Sequence, residues 1–193
     1  MPQPTGHKWF AAFWDIMTRL ESATERGARQ EVAGGASGRI LEISCGNGAN
    51  FPYYPETAEL LATDPDPHML ERARKRATET ARTIDLRRAP AEELPFADGS
   101  FDTVVSTLVL CSVPDQLTAL AEIRRVLKPA GQLRFFEHVR YKNHLGAFFQ
   151  DAVTPVWSWM GAGCHPNRDT AASMEDSSSP RSRPSARYRQ CLR

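Results

Sequence analysis

Residues 39–51, Arg39-Ile40-Leu41-Glu42-Ile43-Ser44-Cys45-Gly46-Asn47-Gly48-Ala49-Asn50-Phe51, decide the fold. The apolar run Ile40, Leu41 and Ile43 leads into a turn of small residues, Gly46-Asn47-Gly48. This pattern predicts a buried strand that ends in a tight loop. Glycine allows positive φ and lets a ligand approach backbone with no Cβ in the way. At the carboxyl end of a parallel strand, such a loop lines the crevice where open α/β sheets bind ligands. A nucleoside cofactor is expected there.

Upstream, residues 8–32 read as a helix, with Trp9, Phe10, Phe13, Trp14, Met17 and Leu20 at steps of three and four. Its stripe suits packing on the core, or a lid over the crevice. Gly34, Gly35 and Gly38 make a flexible entry to the first strand. Downstream, Pro52 and Pro55 keep any helix short. Glu59 to Thr63 predicts a second strand. It ends at Asp64-Pro65-Asp66-Pro67, where Asp66 suits an N-cap and Pro67 the first turn of a helix over 67–81. The basic run Arg72, Arg74, Lys75 and Arg76 reads as the solvated face of that helix.

Thr83 to Ala89 alternates as a third strand would. Asp102 to Leu110 is nearly all apolar or β-branched, the signature of a central parallel strand buried on both faces. An amphipathic helix over 115–127 follows, stopped by Pro129 and Gly131, then a fifth strand from Gln132 to Val139. Strand and helix alternate with short links, so the class is α/β with right-handed crossovers. Leu145 to Met160 suits a helix interrupted at Pro155. From about residue 176 the composition turns to Ser, Arg and Pro, and the tail 176–193 is expected to be disordered.

The 193 residues, with 41% hydrophobic content, suit one domain. A net charge of +1 argues for no nucleic-acid or anionic-membrane partner. Cys45, Cys111, Cys164 and Cys191 have neither zinc-ligand nor CxxC spacing. The start, MPQPTGHK, has no apolar signal region, and no apolar run approaches the length of a membrane span. A reduced, cytoplasmic protein is expected, with at most weak membrane-surface contact through the first helix. His138, Glu137 and His165 lack diagnostic metal-ligand spacing, so no metal is expected.

Asp64, at the end of the second strand, stands where a carboxylate can accept bonds from both ribose hydroxyls. A dinucleotide turn wants a third glycine for close helix packing. Phe51 fills that position here and argues against a nicotinamide cofactor. Glu42-x-x-x-Gly46-x-Gly48 followed by a strand-end acid resembles the class I S-adenosylmethionine-dependent methyltransferases. So do Glu92 to Asp102 (EELPFADGSFD) and Glu122 to Gly131 (EIRRVLKPAG). Within that class, Ser106 to Val113 and Phe135 to Val139 are similar to the methyltransferase-like thiol methyltransferases and their bacterial relatives. The resemblance covers about residues 9–175.

The resemblance implies a Rossmann-like, doubly wound, mainly parallel sheet of order 3-2-1-4-5, in a methyltransferase domain spanning 1–175 with residues 8–32 as a helical lid. It implies S-adenosylmethionine as cofactor and a small-molecule acceptor, a thiol or another apolar nucleophile. Glu42 would contact the cofactor's amino-acid end, directly or through water. Gly46 and Gly48 would let backbone approach it, Asp64 would hold the ribose diol, and Pro65 would shape the adenine wall. Ala91 and Glu92 would lie beside the adenine edge, with Thr107 and Leu108 facing the sulfonium and the acceptor. Structural readings stay open for Glu42 as a turn residue, Asp64 as a cap and Glu92 as a loop acid. His138, at a strand end, is a weak candidate for a general base.

Three departures from the family pattern stand out. Ser44 replaces a usual glycine, so strain is expected at that turn. Pro90 replaces an acid that often reads the adenine amine. The antiparallel strands that usually close the sheet are missing, as a truncation or shifted frame near residue 176 would produce. An open edge on the fifth strand is therefore expected. A non-catalytic cofactor-binding remnant is the alternative to an active transferase, and a nicotinamide oxidoreductase a weaker one.

Overall fold

The computed structural model describes residues 6, 8–137, 143–160, 163–165, 167, 168 and 170, and the backbone of 187–190. Strand β1 (Arg39–Ile43) lies mid-sheet. It pairs in parallel with β2 (Glu59–Asp64) on one side and β4 (Phe101–Thr107) on the other. Strand β3 (Asp85–Arg88) extends the sheet beyond β2, and β5 (Leu127–Phe136) beyond β4, giving the order 3-2-1-4-5.

Side chains alternate across a strand, so β1 feeds both cores. Leu41 and Ile43 join Val104, Leu133 and the α4 (Gln116–Val126) residues Leu120 and Ile123. Ile40 joins Ala62, Val105, Val32 of α2 (Ala23–Gly34), and Leu70 and Ala73 of α3 (Pro67–Glu79). This explains the unbroken apolar reading of β1: both faces are covered. It also sends Glu42, two residues from Ile40, to the α2 side. Neighbours β2 and β4 flank β1 from opposite directions, and this topological switch opens a crevice at its carboxyl end.

The expected single helix over 8–32 is two helices, α1 (Lys8–Arg19) and α2. The break comes from Ser22, whose hydroxyl accepts from the Glu25 N–H while Glu25 accepts from the Ser22 N–H. Nor does α1 bury its stripe: Trp9 is 89% exposed and Phe13 45%. Strand β5 begins at Leu127, five residues early, because Leu127 pairs with Phe101 before a register shift carries Lys128–Gly131 past it. Phe136 is its last residue; His138 and Val139 lie outside the described residues. Helix α5 (His144–Met160) runs through Pro155 without the expected interruption. The cost is one amide hydrogen bond, and beside it the Thr154 hydroxyl donates to the Gln150 carbonyl.

Of the tail 176–193, expected to be disordered, residues 187–190 differ from that expectation, and the rest lies outside the described residues. Residues 187–190 form β6 (Arg187–Gln190), which pairs in parallel with Gln132–Phe135 of β5. Composition predicted disorder because apolar burial is meagre. Backbone pairing with an exposed strand edge does not depend on apolar side chains. The β5 edge is therefore covered, by a parallel strand and not by the antiparallel pair of the resemblance.

Candidate functional site

The carboxyl end of β1 turns sharply. Ser44 sits at φ 45°, Gly46 at 57° and Gly48 at 77°, so the strain expected at Ser44 is present. A Cβ on Gly48 would strike the Phe51 ring at 2.5 Å, so this glycine makes room for a core aromatic side chain. A Cβ on Gly46 would meet only the edge of Trp14, at 3.8 Å. Of the two, Gly46 is the one with open backbone.

Asp64 closes the turn from the next strand. Its Oδ2 accepts from the Gly46 N–H at 2.8 Å and its Oδ1 from the Asp66 N–H at 2.8 Å. The carboxylate is buried, and burial pushes its pKa up to about 6 against the pull of those two donors. A carboxylate offers about four lone-pair directions, so each oxygen keeps one for a ligand hydroxyl. The cap of α3 is Asp66, whose Oδ1 accepts from the His68 N–H, which frees Asp64 from that duty.

Glu42 lies behind the turn, fully enclosed. Its Oε1 accepts from Asn50 Nδ2 at 2.8 Å and its Oε2 from the Tyr54 hydroxyl at 2.9 Å. Asn50 also donates to Thr107 Oγ1 at 2.9 Å, and its own oxygen accepts from Arg29 at 3.1 Å. Burial dominates and lifts the Glu42 carboxyl to about 7, despite Tyr54, Asn50 and the Arg29 charge. One asparagine thus ties β1, β4 and α2 together. Asn50, Tyr54 and Arg29 escaped the sequence reading. The available signal was the acid on an apolar strand, which must find partners.

At the end of β4, Leu108 takes φ 58°, the second strained non-glycine beside the crevice. Thr107 and Leu108 are both half-buried there. The following loop is held by Glu137: its Oε1 accepts from the Ser106 hydroxyl and the N–H groups of Val109 and Leu110 at 2.8–3.1 Å. Its Oε2 accepts from the Cys111 N–H at 3.4 Å. Burial raises the Glu137 pKa against these donors. On the β2 side, Ala91 is buried, and Arg88 Nε donates to the Pro65 carbonyl. Glu92 accepts from the Asp115 N–H at 3.3 Å, a loop contact that leaves its other oxygen open.

Helix α1 lies over this turn. Asn47 Nδ2 donates to Asp15 Oδ1 at 2.9 Å and to Thr18 Oγ1 at 2.8 Å. Asp15 also pairs with Arg72 and Arg76 of α3, at 3.2 and 3.5 Å. Phe10 and Trp14 stack at 5.9 Å on the same helix. Among the described residues, no helix is long and apolar enough to cross a membrane.

A parallel 3-2-1-4-5 sheet with a glycine turn after β1 and a buried acid after β2 defines a class I methyltransferase fold. Residues 41–135 match the methyltransferase domain family model. Thiol S-methyltransferase TMT1B of Homo sapiens is 37% identical over 187 residues, covering 90% of this chain and 76% of that protein. Thiol S-methyltransferase TMT1A of Homo sapiens is 34% identical over 184 residues, covering 89% and 75%. A possible histamine N-methyltransferase from Thermotoga maritima superposes with a TM-score of 0.66 at 24% identity, over 86% of this chain and 75% of that one. YcgJ from Bacillus subtilis gives 0.69 at 21%, over 82% and 67%; these two solved structures speak for the fold. The chain belongs to the S-adenosylmethionine-dependent methyltransferases, in the family that includes the TMT1 proteins. It is an enzyme, and S-adenosylmethionine is its cofactor.

Proposed function

We propose that the chain methylates the thiol of a small, apolar acceptor. Two observations support the acceptor class: TMT1A and TMT1B are named thiol S-methyltransferases, and the helix over the crevice brings Trp14, stacked on Phe10, to the open Gly46 backbone. The observation that carries the site is the buried Asp64 carboxylate, fixed by the Gly46 and Asp66 N–H groups with lone pairs to spare. It fits a ribose diol. Gly46 offers the open backbone beside it.

Bound there, S-adenosylmethionine supplies an electrophilic methyl group on a sulfonium. The chain binds, orients and excludes water. Asp64 holds the ribose, Pro65 and Ala91 flank the adenine, and Glu92 offers its open oxygen to the adenine edge. Glu42 answers the amino-acid end, Gly46 and Gly48 shape the turn, and Thr107 and Leu108 face the acceptor. Trp14 and Phe10, on a helix acting as a lid within a domain spanning 1–175, keep water away. A thiol ionises without a strong base, so the reading does not depend on His138, which lies outside the described residues.

Three buried thiols with no disulfide among them support a reducing, cytoplasmic setting. The exposed apolar residues of α1 support a weak membrane-surface contact, and the near-neutral net charge supports no nucleic-acid partner.

Calorimetry with S-adenosylmethionine and S-adenosylhomocysteine tests the site, and turnover of an aliphatic thiol by the 193-residue chain tests the acceptor. Binding of both nucleosides with consumption of the thiol is expected. Binding without turnover on any thiol favours the cofactor-binding remnant; no binding overturns the assignment of Asp64.

A further inference from the structure

Cys111 and Cys164 come from distant parts of the chain. Cys111 lies in the loop after β4 and Cys164 in the segment after α5, yet the Cys164 thiol donates to Cys111 Sγ at 3.4 Å across a separation of 53 residues. Both are buried, Cys111 completely and Cys164 with 7% exposure. Their backbones are docked as well. The His165 N–H donates to the Cys111 carbonyl at 2.8 Å, and Arg168 Nη1 donates to the carbonyls of Leu110 and Val113. Gln116 bridges the Leu110 carbonyl and the Thr170 hydroxyl. Two reduced thiols are thus held in contact by five flanking hydrogen bonds that do not depend on the sulfurs.

We propose that Cys111 and Cys164 are a reversible disulfide site, oxidised by low-molecular-weight disulfides, that staples the segment after α5 to the loop after β4. Closing the bond needs the sulfurs to approach from 3.4 Å to about 2 Å. The order of attack follows from exposure. Cys164 is the residue that keeps some exposure, whereas the hydrogen bond from Cys164 and burial hold the Cys111 thiol well above its ordinary range. The Cys164 thiol loses its proton and attacks one sulfur of R–S–S–R, releasing one thiolate that takes up a proton. Cys111 then loses its proton and attacks the Cys164 sulfur of the mixed disulfide, expelling the second thiolate, which is protonated in turn. One disulfide bond is broken and one formed, two protein thiols are oxidised, and two R–SH molecules leave.

The staple bears on the reaction through position. The loop that it fixes begins just beyond Leu108 and is the one that Glu137 already grips. Oxidation adds a covalent tie to a loop that hydrogen bonds already hold in the reduced chain.

The test uses the purified 193-residue chain and glutathione disulfide, followed by denaturing alkylation and peptide mapping. The expected product has lost two hydrogens in mass, yields a linked peptide holding Cys111 and Cys164, and returns to two alkylatable thiols with dithiothreitol. The C111S variant should stop at a glutathione adduct on Cys164, and C164S should leave Cys111 unmodified. Full alkylation of both cysteines after oxidant overturns the proposal, as does a link to Cys45 or Cys191. If either variant fails to fold, the wild-type peptide map decides alone. No cofactor or acceptor enters the readout, so its failure leaves the methyl-transfer reading untouched.

Discussion

The carboxyl edge of the sheet buries acids at two places and satisfies them to different extents. At the β4–β5 side, Glu137 gives its oxygens to three consecutive backbone N–H groups and one hydroxyl. At the β1–β2 side, Glu42 is met by two side chains, Asn50 and Tyr54, and Asp64 keeps lone pairs free. Burial alone does not separate a structural acid from a ligand-binding one; the number of donors does. Glu137, with four donors, is saturated and locked in place. Asp64 and Glu42, with two donors each, keep acceptor directions for a ligand.

The largest effect should come from breaking the locked side. Glu137→Ala leaves the N–H groups of Val109, Leu110 and Cys111 without their acceptor, in a buried loop. Each buried unpaired group costs about 1–3 kcal/mol, so urea unfolding should show a loss of about 3 kcal/mol or more. Glu137→Gln, which keeps an acceptor oxygen, should recover more than half of that loss. A Glu137→Ala chain as stable as the parent would remove the distinction between the two sides.

The mirror experiment is Asp64→Ala. Charge-assisted bonds of about 1.5–3 kcal/mol each are lost, so S-adenosylhomocysteine should bind at least about ten-fold more weakly by calorimetry. Stability should fall less than in Glu137→Ala, because the Gly46 and Asp66 N–H groups lie at a turn that water can enter. Unchanged affinity would place the ribose elsewhere.

The same division explains what the sequence disclosed. Strand β1, its glycine turn and Asp64 are legible because they are local: apolar run, small residues, strand-end acid, each within a few positions. The sheet order rests on the family resemblance, because alternation and right-handed crossovers alone give only a parallel α/β sheet. Asn50, Tyr54 and Glu137 are not legible as partners, because their hydrogen bonds span 8, 12 and 31 residues and depend on which strands become neighbours. The two-helix start had a readable signal in Ser22-x-x-Glu25, overshadowed by apolar periodicity running across it. Strand β6 had none, since pairing at an edge draws on backbone groups that every residue carries.

A pH series sharpens the β1 side. Burial lifts the Glu42 carboxyl from 4.5 to about 7. An acid held more protonated in the native state stabilises the fold at low pH, and that contribution fades as pH rises through the folded value. Stability of the cofactor-free chain should therefore decline between about pH 4.5 and 7. Glu42→Gln, neutral throughout, should flatten that decline. A residual slope below about 6 belongs to Asp64, which is shifted the same way. An unaltered slope in Glu42→Gln would mean that Glu42 titrates as an ordinary acid.

The smallest effect concerns the helix over the crevice. Asp15 is partly buried, which pushes its pKa up, but the Asn47 bond and the charges of Arg19, Arg72 and Arg76 outweigh this and hold it below the ordinary value. The sign is opposite to that of Glu42: the contribution is present above the unfolded pKa and fades as pH falls through the folded one. Asp15→Asn keeps an oxygen for Asn47 and removes the charge. Solvent screening limits such pairs to about 0.2–1 kcal/mol, too little to move global unfolding clearly. The change should appear locally, as faster hydrogen exchange across residues 8–19 with exchange in β1 and β4 unchanged. Raising salt should bring the parent toward the variant, because arginines that solvent reaches lose their pull as the Debye length shrinks, Arg19 most of all. Equal exchange in both chains at low salt would show that the Phe10 and Trp14 packing, not the Asp15 pairs, keeps α1 over the glycine turn.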